Sequence, residues 1–184
     1  MALKHPLKIE DGAWVFGYGS LMWRPNFPHT ESRTALLRGY HRALCIYSTQ
    51  YRGTYERPGL VAGLDRGGSC RGRAFHVAAA DWKDVEAYLW EREMTDRVYR
   101  PVWHRVETPA GPVAAYTFVA DRTHVKYTGR LSNEQALDLV MQGCGKRGSC
   151  LEYLKNTVEH LNEMGIRTGQ LHEVLDLARR RGLI

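Results

Sequence analysis

The chain has 184 residues, 43% of them apolar, and a net charge of +6 from 26 Lys and Arg against 20 Asp and Glu. That length fits a single domain over 1–184 with its own core and an N-terminal arm over 1–12, and no apolar run is long enough to span a bilayer. Met1-Ala2-Leu3-Lys4-His5-Pro6 lacks the apolar region of a signal peptide, so a cytoplasmic protein with no membrane partner is expected.

After the arm, Trp14 to Phe16 form an apolar strand that breaks into Gly17-Tyr18-Gly19-Ser20. Residues 24–39, with Pro25, Asn26, Pro28 and Gly39, read as an irregular connection. Arg42 to Tyr47 is strand-like, and residues 48–58 read as a long polar loop. Leu60 to Asp65 and Cys70 to Val77 read as two short strands joined by a hairpin turn at Arg66-Gly67-Gly68-Ser69. Ala80 to Met94 is a helix with Asp81 as its expected N-cap and Trp82, Val85 and Leu89 as its inner stripe. Tyr99 to Glu107 and Val113 to Val119 are strands joined by Pro109-Ala110-Gly111-Pro112, and residues 121–129 form a polar loop. Ser132 and Gln135 form a capping box for a second helix. Leu151, Leu154, Val158 and Leu161 mark a third helix, and Leu171, Val174, Leu175 and Ala178 a fourth. About six short strands before residue 120 and three helices after it give an α+β fold: a small antiparallel or mixed β-barrel with helices packed outside.

Three features bear on chemistry. Gly17-Tyr18-Gly19-Ser20 reads either as a tight turn or as a loop whose backbone N–H groups face a ligand. Adding four to Leu89 gives Glu93, so a carboxylate falls on the buried stripe near the helix end. There it either sits in an apolar setting or turns to solvent as the helix finishes. Cys45, Cys70, Cys144 and Cys150 show no C-x-x-C spacing and read as free thiols, and the eight histidines form no zinc-binding pair, so no metal is expected. The cations are scattered apart from Arg179-Arg180-Arg181, which suits the last turn of a helix. A nucleic-acid partner is therefore not expected, and a small-molecule substrate is.

Val15-Phe16-Gly17-Tyr18-Gly19-Ser20-Leu21 resembles the signature of the ChaC-like γ-glutamylcyclotransferases, closest to the bacterial ChaC type. Further stretches match in order: Arg52-Gly53-Thr54 with Pro58-Gly59, the glycine-rich Gly63 to Gly72, and Leu89-Trp90-Glu91-Arg92-Glu93-Met94. Phe118 to Arg122 with Tyr127, and Glu152 to Thr157 with His160-Leu161, complete the match, from about Trp14 to about Leu175. The resemblance implies a γ-glutamylcyclotransferase fold and cleavage of glutathione into 5-oxoproline and cysteinylglycine, with no cofactor. It further implies that Val15 to Leu21, with Gly17, Tyr18, Gly19 and Ser20 at the centre, hold the γ-glutamyl group. Glu93 is then the general base and acid, and Tyr127 a substrate contact or a tyrosine packed on the surface. Arg52 is a candidate partner for the glycyl carboxylate, with an ordinary solvated arginine as the competing reading. Three positions depart from the pattern. Arg97 stands where a glycine is usual, and is expected to reshape the mouth beside Glu93, where the substrate's leaving portion would lie, because arginine takes φ > 0 at a cost. Tyr55 replaces a proline and Cys150 a polar residue. Two alternatives stay open: a cyclotransferase for another γ-glutamyl amino acid or amine, and a non-catalytic γ-glutamyl binding or regulatory protein.

Overall fold

The computed structural model describes residues 9–184; the expected arm over 1–12 therefore lies largely outside the described residues. The strands are β1 (Ala13–Gly17), β2 (Glu31–Ser48), β3 (Gly59–Val77), β4 (Tyr99–Thr108), β5 (Gly111–Ala120), β6 (Cys144–Gly145) and β7 (Gly148–Ser149). The helices are α1 (Ala79–Glu93), α2 (Asn133–Gln142), α3 (Cys150–Glu163) and α4 (Gln170–Arg180). β1 to β5 close into a barrel in the order β1-β3-β2-β4-β5. β1 runs antiparallel to β3 and parallel to β5, so the barrel is mixed, as expected.

Two expectations about the strands need correction. Residues 31–39 are the first half of β2 and not part of an irregular connection. Ala35 and Leu37 alternate into the core there, a period of two that the neighbouring prolines and Gly39 obscured. Residues 66–69 are not a hairpin turn: β3 runs unbroken through them. Gly67 and Gly68 do take positive φ, at 101° and 65°, and Gly39 in β2 takes 85°. These residues bend long strands, as bulges do where a small barrel must curve. His41 Nδ1 lies 3.1 Å from the Gly67 carbonyl oxygen and holds the bend against β2.

The chain divides into two compact units, one built from the residues up to His41 with Leu64–Asp121, the other from Arg42–Gly63 with Arg122–Ile184. In the first, α1 lays Trp82, Val85 and Leu89 into a cluster with Val15, Leu21, Phe27, Phe75, Trp103, Tyr116 and Phe118. Trp82, Trp103 and Tyr116 pack with ring centroids 5.3–5.6 Å apart, at angles from tilted to edge-on that suit their quadrupoles. The N-cap of α1 is Ala78, with no side-chain bond; Asp81 sits in the first turn, where its charge favours the dipole but caps nothing.

In the second unit the Ser132–Gln135 capping box forms as expected, with both reciprocal bonds present. Ser149 caps α3 by accepting from the Glu152 amide at 3.1 Å. The polar loop after β2 is packed main chain to main chain: a Cβ on Gly53 would strike the Gly59 nitrogen and the Ser48 carbonyl, and one on Gly59 the Arg52 carbonyl. None of the four cysteines forms a disulfide, and Cys144 alone of them is exposed. The Cys150 thiol donates to the Leu60 carbonyl at 2.9 Å, and burial pushes its pKa up to about 11, so it is an unreactive thiol. No described helix is long and apolar enough to cross a membrane.

Candidate active site

β1 carries Val15 and Phe16 into the core and ends at Gly17, where its register against β3 stops at Arg73. The buried Thr117 hydroxyl donates to the Phe16 carbonyl at 2.9 Å and fixes the strand end. Gly72 of β3 lies directly beneath: a Cβ there would strike the Gly17 carbonyl oxygen and come within 2.7 Å of the Phe16 ring. The glycine-rich stretch from Gly63 to Gly72 thus contributes a close backbone approach under the loop.

Beyond Gly17 the chain makes a single 3-10 turn over Ser20–Met22, with the Met22 amide bonded to the Gly19 carbonyl at 2.9 Å. Neither Gly17 nor Gly19 takes positive φ, so left-handed backbone is not the reason for these glycines. Room is the reason. A Cβ at Gly17 would crowd the Leu21 Cβ at 3.0 Å, whereas one at Gly19 would point into open space. The Gly19, Ser20 and Leu21 amides have no hydrogen-bond partner among the described residues, as befits donors ahead of the first helical acceptor. Tyr18, Leu21 and Met22 are buried and anchor the loop.

α1 brings Glu93 to this loop. Leu89 and Leu21 share one core cluster, one turn before the carboxylate. The Glu93 side chain is 19% exposed, so of the two readings of its place on the helix the buried one holds. Burial pushes its pKa up, and the neighbouring Arg92 pulls it partly back. Arg92 Nε lies 3.2 Å from Glu93 Oε1. Its Nη2 donates to Ser20 Oγ at 2.8 Å. Its Nη1 donates to the Arg24 carbonyl at 2.8 Å and to the Tyr88 hydroxyl at 2.7 Å, and reaches the Pro25 carbonyl at 3.4 Å. Sequence reasoning missed Arg92. Within Glu91-Arg92-Glu93 it reads as one more surface charge, and only its spacing of four from Tyr88 hinted at a fixed position.

After α1, Arg97 takes φ = 53°, with its amide bonded to the Met94 carbonyl at 3.1 Å. Arginine takes this positive φ at the cost expected of a residue with a Cβ. The chain keeps the left-handed conformation a glycine would adopt, and arginine bears the strain of about 1–2 kcal/mol. Arg97→Gly is therefore expected to stabilise the fold by about 0.5–1 kcal/mol, once the looser unfolded chain is set against the relieved strain. Thermal unfolding checks this: Tm should rise by roughly 1–4 °C, and a fall would mean that the exposed Arg97 side chain contributes more than its backbone costs.

Arg52 and Tyr127 belong to the second unit. Arg52 is not an ordinary solvated arginine. Its side chain is 18% exposed, donates to the Ser149 carbonyl at 3.1 Å, lies 3.5 Å from Glu152 Oε2 and covers the Tyr153 ring at 5.6 Å. It ties the polar loop to the start of α3. Tyr127 is half-buried, bridges Ile46 through its backbone and accepts from Arg122 Nε at 3.1 Å. Tyr55 is 73% exposed beneath the Lys126 ammonium.

The fold is thus a mixed five-stranded barrel, and its glycine loop carries unpaired amides beside a half-buried glutamate linked to it through Arg92. The ChaC-like protein family model matches residues 13–181, and the chain belongs to that family. It is 34% identical over 167 residues to the glutathione-specific γ-glutamylcyclotransferase of Escherichia coli K12, covering 90% of this chain and 72% of that one. It is 31% identical to glutathione-specific γ-glutamylcyclotransferase 1 of mouse over 164 residues, covering 86% and 74%. Among solved structures, a yeast γ-glutamyl cyclotransferase specific to glutathione has the same fold, with a TM-score of 0.80 at 20% identity over 90% of this chain and 96% of that one.

Proposed function

We propose that this protein is a γ-glutamylcyclotransferase that cleaves glutathione to 5-oxoproline and cysteinylglycine, with Glu93 as general base and acid. The observation that carries this reading is the raised-pKa carboxylate of Glu93 linked through Arg92 to the Ser20 hydroxyl of the glycine loop. Both belong to stretches shared with a family whose curated members are named for that reaction.

The chemistry follows from these groups. The γ-glutamyl α-amine, relieved of a proton by Glu93, attacks its own γ-carbonyl carbon. The new C–N bond closes a five-membered lactam, and the bond from that carbon to the cysteinyl nitrogen breaks. In total, two protons leave the attacking ammonium nitrogen and two arrive on the departing amine, so atoms and charge balance without water. A carboxylate with an elevated pKa suits passing protons between two amines near neutral pH. The Gly19, Ser20 and Leu21 amides offer donors to the γ-glutamyl oxygens, and the buried Val15, Phe16, Gly17 and Tyr18 keep that loop rigid. Holding the chain curled for attack contributes roughly 7–11 kcal/mol in well-oriented intramolecular reactions. Arg52 and Tyr127 have partners in their own unit, and we assign them no contact with substrate.

The test is a substrate panel read as 5-oxoproline release. Glutathione is expected to react fastest. N-acetylglutathione, whose α-amine is blocked, is expected to stay intact. Faster turnover of another γ-glutamyl amino acid or amine would move the substrate assignment. Turnover of the acetylated compound would overturn the attack by the amine, and binding of glutathione without turnover would favour the regulatory reading.

A further inference from the structure

Arg92 is only 20% exposed along its side chain, yet it sits one residue from a half-buried carboxylate and spends its guanidinium in three directions. Nε faces Glu93, Nη2 faces Ser20, and Nη1 faces the Arg24 carbonyl and Tyr88 hydroxyl. A planar fork fixes these directions relative to one another, which a lysine cannot do. The bond to Ser20 has a further chemical consequence. A guanidinium only donates, so Ser20 Oγ must accept from it. The serine's own O–H is then left to donate elsewhere, and it sits on the loop that carries the unpaired amides.

We propose that Arg92 is a positioning residue that couples the Glu93 carboxylate to the glycine loop and sets the Ser20 hydroxyl as a donor to a substrate oxygen. The proposal rests on the assignment of Glu93 and the loop to γ-glutamyl chemistry. Among the described residues Arg92 is the charge that acts on Glu93; the loop presents it with the neutral Ser20, and α1 adds the neutral Tyr88 to the same network. Removing the Arg92 charge takes away the one influence that lowers the Glu93 pKa. The group would protonate at higher pH, and activity that needs the carboxylate would be lost sooner as pH falls.

The experiment compares wild type, Glu93→Gln, Arg92→Met, Arg92→Lys, Ser20→Ala and the Arg92→Met/Ser20→Ala double variant, with kcat and KM for 5-oxoproline release followed across pH. Arg92→Met is expected to move the acid limb of kcat/KM up by about one pH unit and to raise KM roughly tenfold, as for one lost hydrogen bond to substrate. Arg92→Lys is expected to restore the limb but not KM, since charge returns without the fork. Ser20→Ala is expected to raise KM with the limb unmoved, and the double variant to have a KM no worse than the poorer single variant. A folded Arg92→Met with a wild-type limb, or KM losses that multiply in the double variant, overturns the coupling. Where Arg92→Met fails to fold, a wild-type KM in Arg92→Lys overturns it. An inactive Glu93→Gln beside unaffected Arg92 variants sinks this proposal alone; a Glu93→Gln as active as wild type sinks the general-base reading and this proposal with it.

Discussion

Glu93→Gln is expected to lower kcat for glutathione cleavage by about 10²–10⁴-fold, the range for removal of a general acid–base group. The amide keeps the shape and still offers Arg92 Nε an oxygen, so the loss should fall on kcat and leave KM near wild type. Stability provides the control. Burial raises the Glu93 pKa, so the folded state holds this proton more tightly than the unfolded chain. Ionisation then costs stability as pH rises from the ordinary carboxylate range through the raised value, and the penalty persists above it. Glu93→Gln should therefore melt at or above the wild-type Tm at pH 8, with the gap closing as pH falls below the ordinary carboxylate range. In the wild type the same raised value places the acid limb of kcat/KM above that range. An acid limb within the ordinary carboxylate range, or a Glu93→Gln that unfolds at pH 8, would contradict the burial argued for this side chain.

Gly72→Ala is expected to damage both fold and activity from a position that touches no substrate. Its methyl group would collide with the Gly17 carbonyl and crowd Phe16, which is 1% exposed and has nowhere to go. Overpacking of this kind costs about 1–3 kcal/mol, or roughly 2–12 °C in Tm for a chain of this size. A shift of the Gly17 carbonyl by even an ångström displaces the loop, and such misplacement can cost about 10²-fold in rate. Gly19→Ala supplies the contrast. Its Cβ meets no described atom within 4 Å, so Tm should hold, while a methyl group in the space reserved for substrate raises KM. Equal stability of Gly72→Ala and wild type would show that the loop is looser than its packing implies.

Much of the candidate site is legible in the sequence, because it lies in short strings that carry their own logic. The loop could be read from Val15 to Leu21, and Glu93 from its spacing to Trp82, Val85 and Leu89. The Ser132 capping box was legible because both partners lie three residues apart. What could not be read depended on partners distant in sequence. Gly67-Gly68 looks the same in a hairpin turn and in a bent strand, since both need positive φ; only the neighbouring β2 and His41 decide between them. The two-residue strands β6 and β7 flank the Gly145-Lys146-Arg147-Gly148 turn and are too short to show a period. Arg92 gave little sign of its place for the same reason: beyond Tyr88 its partners are Ser20 and Arg24, 72 and 68 residues upstream.

The most direct test of the central claim is product analysis of glutathione cleavage in ¹⁸O-labelled water. The account predicts 5-oxoproline and cysteinylglycine in equal amounts, with no ¹⁸O in the 5-oxoproline, because the γ-carbon is attacked by the substrate's own amine. Release of glutamate carrying ¹⁸O in its γ-carboxylate would mean that water is the nucleophile, and would contradict the assignment of Glu93 and the glycine loop to cyclisation.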